Sequence, residues 1–193
     1  MMILKSFFYT IIITLICASF VQIQTCQASA REDVLLVVVD SSKEAYGSQL
    51  KKEVNQQLET HLSLQGSTEQ KIETMIQEFG VNEFSNVEKP ELAELTKKMG
   101  VHKAVIVEIL PAMIEYNQIA SFQKIQADAT LRIRLYDADK EQYIFMGNIS
   151  GKGSNKTFLP FTSIGTKPAV LEAVQKAALV ATEKISGALH QAM

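Results

Sequence analysis

The spacing of hydrophobic and polar residues changes several times along the chain, and each change predicts a new element. An uninterrupted apolar run at 34–39 is mostly β-branched and ends at Asp40. Such a run predicts a central strand that is covered on both faces. Apolar residues then recur at helical spacing over 47–64, and again over 67–80. These two segments predict amphipathic helices.

The middle of the chain predicts one more helix between two strands. A short strand is expected at 83–87. Pro90 then suits the first turn of a helix, and Gly100 suits the left-handed residue that ends it. An apolar run at 103–110, stopped by Pro111, predicts a second buried strand.

The C-terminal part of the chain changes to a period of two and then returns to a helical period. Apolar and polar residues alternate over 124–136, which predicts a strand with one buried and one solvated face. After a turn at 137–140, the segment 143–154 is the returning antiparallel strand. A long helix with a stripe of alanines follows Pro168. The order of elements predicts a mixed α/β fold: a single sheet of about five strands with a parallel β-α-β start, an antiparallel C-terminal hairpin and helices packed on the sheet.

Residues 1–30 have the features of an export signal. A positive charge precedes an apolar run at 7–21, and Ala28 and Ala30 fit the small-residue pattern of a cleavage site. The apolar run is shorter than the about 20 residues that a membrane-spanning helix needs. We therefore expect a cleaved signal peptide, a single domain at 31–193 and no membrane span after cleavage.

The cysteines, Cys17 and Cys26, both lie inside the expected signal. The processed protein would then have no thiol, and hence no disulfide and no cysteine metal site. The alternative is that Cys26 is acylated as the first residue of a lipoprotein. The preceding Ile-Gln-Thr is a poor match to the small, apolar residues that such processing prefers. The prediction is an exported protein of the periplasm or the extracellular space.

Composition and charge exclude several classes of function. The chain has 193 residues, of which 47% are hydrophobic, with 19 Lys and Arg against 21 Asp and Glu. The slight acidic excess argues against nucleic-acid binding, which needs basic side chains to neutralise phosphates. These values are typical of one globular domain rather than of a disordered chain or a polytopic membrane protein.

No arrangement of side chains in the sequence indicates a catalytic, cofactor or metal site. His61, His102 and His190 are dispersed, whereas metal ligands cluster at defined spacings. Glu108 is the one acid within an apolar strand. We expect it to face solvent at the strand end, and the alternative is a catalytic carboxylate with a perturbed pKa. The expectation is a protein that is not an enzyme and needs no cofactor.

Three parts of the chain resemble a family of bacterial envelope modules. They are the Val-rich opening strand that ends at Asp40, the segment 95–100 that leads into 105–107, and the segment 131–137 with its returning strand. In these the chain resembles the extracytoplasmic α/β module shared by the curli-secretion lipoprotein CsgG, the TolB N-terminal domain and the LpoB-type activators of peptidoglycan synthases. The resemblance implies a protein of the bacterial envelope. It does not extend to the membrane hairpins of pore-forming members, because 113–122 is too short for two membrane strands of about 9–11 residues each.

Two apolar segments are candidate partner surfaces. One lies between the hairpin and the last helix and includes Phe158, Leu159, Phe161 and Ile164. The other is a loop expected at 113–122, which includes Tyr116 and Phe122. Exposed apolar loops with polar flanks are typical of sites that bind other proteins. The alternative is that each segment is buried in the core of the domain.

Three functional hypotheses follow from these observations. The main one is a non-enzymatic protein-binding or assembly module that contacts envelope proteins. The alternative is a periplasmic protein that binds a small ligand or a glycan, or a hydrolase, through the strand ends near Asp40, Ser42 and Glu108. The third is an oligomeric scaffold that associates with further copies of itself.

Overall fold

The computed structural model describes residues 34–62, 86–119, 122–157 and 165–191. The chain separates into the units Met1–Glu32 and Asp33–Met193, and all of the described residues belong to the second unit. The expected signal segment, with Ala28, Ala30 and Cys26, lies outside the described residues. So does the helix predicted at 67–80.

Within the described residues the protein has five strands and three helices. In chain order they are β1 (Val34–Asp40), α1 (Gly47–Leu62), α2 (Lys89–Met99), β2 (Lys103–Ile109), β3 (Met113–Ile119), β4 (Phe122–Asp137), β5 (Gln142–Thr157) and α3 (Lys167–Gln191). The strands form one sheet, in which β1 pairs with β2 in parallel and every other pair is antiparallel. The predicted fold class is confirmed, including the long C-terminal helix.

β4 is the strand on which the sheet is built. One of its edges pairs with β5 along almost its whole length, and the other pairs first with β3 and then with β2. Ile109 lies opposite Leu131, and Met113 lies opposite Asp128, so the chain between β2 and β3 has one residue more than β4 has there. Pro111 lies in this bulge, where its missing N–H removes no hydrogen bond from the ladder. β2 and β3 therefore continue one line along β4.

Two predictions about the strands are wrong. The expected loop at 113–122 contains β3, Met113–Ile119. The strand expected at 83–87 is wrong in its described part, since Asn86 has a 3-10 conformation and Val87 belongs to no regular element. The fifth strand of the sheet is β3 instead. Large apolar side chains of β3 are exposed, so this strand lacks the alternation of buried apolar and exposed polar residues by which a strand is recognised.

Alternate side chains of the sheet contribute to two separate cores. On one face, α1 and α3 cover a core that includes Leu36, Val107 and Ile133. On the other face, α2 packs on a smaller core that includes Leu35 and Ile106. β1 and β2 contribute to both cores, which explains why their sequences are uninterrupted apolar runs.

Two positions differ from the predicted pattern of burial. Tyr136 falls on the predicted solvated face of its strand, but it is fully buried in the smaller core, with its ring centroid 5.7 Å from that of Tyr143. His61, which falls at the helical spacing of the apolar residues in 47–64, is exposed in the last turn of α1. The smaller core extends to the end of β4. The alternation of apolar and polar residues over 124–136 therefore no longer separates buried from solvent-exposed positions at Tyr136.

The helix α2 begins and ends where the sequence predicts. Pro90 lies in its first turn, and Glu91 Oε2 accepts a hydrogen bond from the backbone N–H of Glu88 at 2.8 Å. Gly100 ends the helix with a φ of 64°, in the left-handed region that glycine adopts without steric cost.

The long helix α3 packs against β5 with its backbone almost in contact. A Cβ atom placed on Gly151 would lie 2.2 Å from the carbonyl oxygen of Ala173, and one on Gly153 would lie 2.0 Å from that of Ala169. No side chain fits at such distances, so both positions require glycine. The helix side of the contact is a fully buried alanine stripe: Ala169, Ala173, Ala177, Ala178 and Ala181. The alanine stripe of the sequence is therefore buried, and its counterpart on the sheet is the glycine pair of β5.

Gly151→Ala is expected to lower the free energy of unfolding by about 1–3 kcal/mol, because the added methyl group would push α3 away from β5. Chemical denaturation followed by circular dichroism measures the change. Gly187→Ala is the matched control, since Gly187 is exposed on α3 and an added Cβ would meet no other described residue within 4 Å. That substitution should raise stability by up to about 1 kcal/mol. If the two substitutions changed the free energy of unfolding with the same sign and size, the close packing of α3 on β5 would be contradicted.

The contact between α3 and β5 also depends on pH, through Glu172. Its Oε1 accepts a hydrogen bond from Lys176 Nζ at 2.6 Å, and its Oε2 accepts one from the backbone N–H of Ser154 at 2.8 Å. Lys176 is the largest cause that lowers the pKa of this carboxyl below its ordinary value of 4.5, and Ser154 is the next. The stabilisation is therefore fully present above pH 4.5 and is lost as the pH falls through the lower folded-state pKa.

Glu172→Gln should remove this acid-dependent part of the stability. Urea denaturation at a series of pH values should show a wild-type advantage that is constant above pH 4.5 and shrinks below it. The advantage should be less than about 1 kcal/mol, because the side chain is 40% exposed. A difference that stays the same at acidic and neutral pH would show that Glu172 does not act through its charge.

Candidate functional site

Two connections between elements begin side by side at one end of the sheet, which we call the β3–β4 end. The first, between β3 and β4, is bounded by Ile119 and Phe122, which lie opposite each other. Next to Phe122, Gln123 pairs with Thr157, the last residue of β5. The second apolar segment of the sequence, 158–164, follows directly. The candidate segment 113–122 therefore ends beside the position in the sheet from which 158–164 continues.

The strand β3 is exposed on both faces of the sheet. Met113 is 70% exposed and Tyr116 is 68% exposed. Met113 lies opposite Asp128 and Tyr116 lies opposite Ile125, so the two side chains project from opposite faces. In the described part of the chain, no strand pairs with the outer edge of β3. The strand thus offers large apolar side chains beside backbone groups that a further strand could bind.

The turn before α1 places a second tyrosine near Tyr116. The Nζ of Lys167 lies 5.7 Å from the ring centroid of Tyr46, within the range of a cation–π contact. Burial raises the pKa of the Tyr46 phenol, and Glu44 and Tyr116 add to the increase. The phenol stays protonated at neutral pH, so it adds no negative charge beside Tyr116.

The structure describes only part of the predicted partner surface. Tyr116 is exposed, and so is Met113 on the same strand. Phe122 begins β4. The remaining predicted residues lie outside the described residues: Phe158, Leu159, Phe161 and Ile164. Their role stays a prediction.

The second predicted site, at the strand ends, does not come together as one pocket. The Asp40 carboxylate lies on the face that α1 covers, where a Cβ on Gly47 would be 1.6 Å from Asp40 Oδ2. Its other oxygen accepts a hydrogen bond from the Ser42 N–H at 2.9 Å. Glu108 lies on the opposite face, because it alternates with the core residues Val107 and Ile109. Asp40 and Glu108 therefore cannot bind one ligand together.

Glu108 is buried, so the prediction that it faces solvent is wrong. Only 5% of the residue is exposed. Arg132, directly opposite on β4, donates from Nη1 to Oε2 at 3.0 Å, and the Ser41 hydroxyl donates to Oε1 at 2.8 Å. Both carboxylate oxygens have partners, which offsets much of the cost of burying the charge. Glu108 thus connects the end of β1 to β4.

The structure gives no support to a metal site in the described residues, where no group of three or more His, Cys, Asp or Glu side chains could hold an ion. His102 Nδ1 lies 3.0 Å from Asp139 Oδ1 at an exposed position. Asp137 Oδ1 accepts a hydrogen bond from the Lys140 N–H at 3.0 Å. That contact shapes the turn between β4 and β5.

None of the helices in the described ranges is long and apolar enough to cross a membrane.

Several solved structures of bacterial proteins are similar to this chain. A hypothetical protein from Chlamydia trachomatis has a TM-score of 0.53 at 13% identity, over 81% of this chain and 96% of that one. A lipoprotein from Neisseria meningitidis has a TM-score of 0.48 at 11% identity, over 80% and 97% of the two chains. The LpoB C-terminal domain from Salmonella enterica has a TM-score of 0.40 at 10% identity, over 62% and 82%. At 13% identity the likeness to the Chlamydia protein shows the fold alone. No protein-family model and no curated protein matches the chain.

Arg132→Met should lower the free energy of unfolding by about 1–3 kcal/mol, because it leaves the buried Glu108 charge without its counter-ion. We expect a smaller loss of stability than for a fully buried ion pair, since the Arg132 side chain is 47% exposed. Lys152→Met is the control. It breaks an ion pair with Asp128 in which the lysine is 83% exposed, and it should cost less than about 1 kcal/mol. Denaturation curves that shift equally for both variants would contradict a special role for Glu108.

Proposed function

We propose that the protein is an exported component of the bacterial cell envelope that acts by binding another protein and does not catalyse a reaction. The observation that carries the proposal is the exposed strand β3, in which Met113 and Tyr116 are 70% and 68% exposed. Large apolar side chains beside an unpaired strand edge are typical of surfaces that a partner covers.

The backbone of β3 supports binding by strand addition. In an antiparallel pair, the N–H and C=O of every second residue point to the same neighbour. Thr130 O accepts a hydrogen bond from Leu110 N at 3.0 Å, so the even-numbered residues of β4 bond towards the side of β2 and β3. Gln126 is one of these residues and pairs with Glu115 of β3. The backbone groups of Glu115 therefore point to β4. The backbone groups of Ile114 and Tyr116 point outward, where an extended segment of a partner would bind them.

The envelope location rests on the N-terminal segment and on the family resemblance. The signal features of residues 1–30, with Ala28 and Ala30 at the cleavage site, support export. The resemblance of 131–137 to the CsgG, TolB and LpoB modules supports the same location. We propose a free protein of the periplasm or the extracellular space, and acylation at Cys26 is the alternative.

The small-ligand alternative has less support from the described residues. Asp40 and Glu108 point to opposite faces of the sheet, and both carboxylates accept hydrogen bonds within the chain. Ser42 Oγ also accepts a hydrogen bond, from the Glu44 N–H at 3.2 Å. A site built from these side chains would first have to break the contacts that shape the turn.

A photo-activatable amino acid in place of Tyr116 tests the proposal in intact cells. Irradiation should link position 116 to one envelope protein, because the residue would lie against the partner. The matched control replaces Lys140, which is exposed in the turn between β4 and β5. This turn lies at the opposite end of the sheet from the β3–β4 end. An adduct at both positions or at neither would contradict binding through β3.

Met113→Ala combined with Tyr116→Ala should then weaken capture of that same protein by at least about tenfold, as expected for the anchor residues of an interface. Phe158→Ala combined with Phe161→Ala tests the neighbouring segment in the same way. Circular dichroism and denaturation curves must show that both variants stay folded. Undiminished capture by the first variant would exclude β3 as the binding surface.

A further inference from the structure

The outer edge of β5 is the longest strand edge that no described strand covers. β5 pairs on one side only, with β4. The backbone N–H of Ser154 donates to Glu172 of α3 at 2.8 Å instead of to β4, so Ser154 points its backbone groups outward. Alternate residues of a strand point the same way. The residues that share this outward direction are Met146, Asn148, Ser150 and Lys152.

This edge has few of the features that keep strand edges apart. Glu172 accepts the hydrogen bond of the Ser154 N–H at one end of the edge. Met146 is 60% exposed, and the single charge along the edge belongs to Lys152, which pairs with Asp128 at 3.7 Å. Proteins that keep an edge unpaired usually place several charges, a proline or a bulge along it. β5 has a register shift at Ile144, which lies before the segment Met146–Lys152.

The edge is complementary to itself. When a second copy is placed antiparallel about a two-fold axis at Ile149, Asn148 of one copy lies opposite Ser150 of the other. In the same register Met146 lies opposite Lys152, so no like charges face each other. Every outward N–H then meets an outward C=O of the other copy, which is the pattern of an isologous interface.

The helix α3 supports the same axis. A Cβ on Gly151 would lie 2.5 Å from the backbone nitrogen of Ala177, and Val180 follows one turn later, level with the middle of the edge. Val180 is 41% exposed, and at about 100° per residue it lies about 140° around α3 from Gln175, towards the side that contacts Gly151. The opposite side is marked by Gln175, whose Nε2 donates to Glu53 of α1 at 2.9 Å. The two-fold axis would therefore bring the Val180 side chains of two copies together.

We propose that two copies of this chain associate through antiparallel pairing of their β5 edges around Ile149. The two sheets then join into one continuous sheet, and the two α3 helices lie side by side on one of its faces. The outward backbone groups between Met146 and Lys152 supply the hydrogen bonds. This surface is separate from β3, so the inference goes beyond the proposed function and does not depend on it.

Analytical ultracentrifugation of the purified protein, as the cell processes it, measures the mass. The wild type should sediment as a dimer at high concentration. Asn148→Lys combined with Ser150→Lys places like charges across the axis and should raise the dissociation constant of the dimer by about a hundredfold. Both residues are exposed, and circular dichroism checks that the variant is folded. Met113→Lys combined with Asn117→Lys adds the same charge to exposed positions of β3 and should leave the dimer intact.

Hydrogen exchange identifies the edge that is used. The outward amides of Asn148, Ser150 and Lys152 should exchange more slowly as the protein concentration rises. The amides of Ile149 and Gly151, which point to β4, should exchange at the same rate in monomer and dimer and serve as the internal control.

Three outcomes would overturn the proposal. The first is a wild type that stays monomeric at every concentration. The second is a dimer that survives the two lysines or leaves the outward amides exchanging freely. The third is protection of these amides that appears only when envelope extract is added, because the edge would then bind a different partner.

Discussion

The approach of α3 to the two glycines of β5 is the contact on which the rest of the structure depends. Gly151 and Gly153 let the helix backbone come within a distance that no side chain allows. Only then can a stripe of alanines fill the space to the sheet, because a methyl group cannot reach across a wider gap and dispersion falls steeply with distance. The same helix holds α1 in place through its other side, where Gln175 bonds to Glu53. A small separation at the glycines would therefore open most of the larger core.

The two exposed edges have a common origin in the length of β4. This strand covers Phe122–Asp137, whereas β1 has only the length of β2, its partner. β1 therefore cannot cover the line that β2 and β3 form together, and β3 is left open beyond the bulge at Pro111. On the other side, β5 matches β4 almost residue for residue. The unequal strand lengths thus expose one short, apolar edge and one long, polar edge.

The sequence predicts best those elements whose burial is complete. The runs at 34–39 and 103–110 are apolar throughout because both faces of β1 and β2 are covered, and the hairpin of β4 and β5 follows from strict alternation. β3 is missed because Met113 and Tyr116 are exposed, so burial leaves little hydrophobic pattern in it. The burial of Glu108 could not be foreseen either, since its partner Arg132 lies 24 residues away and meets it only through the register of the sheet. Of the predicted partner surface, Tyr116 is found exposed, whereas the segment 158–164 lies outside the described residues.

The parallel pairing of β1 has a consequence for the order in which the chain folds. β2 and β3 follow each other along β4, and β3, β4 and β5 are consecutive antiparallel strands, so the contacts among these four strands close shorter loops at less entropic cost. β1 must instead find a strand far along the chain, as the bond between Ser41 and Glu108 shows with its separation of 67 residues. Contacts between residues so far apart in the sequence form late. Closing the long loop between them costs conformational entropy before the new contacts add any stabilising energy. We therefore expect residues 103–157 to pair first and β1 to dock in a slower step, with the outer edge of β2 open to solvent until then.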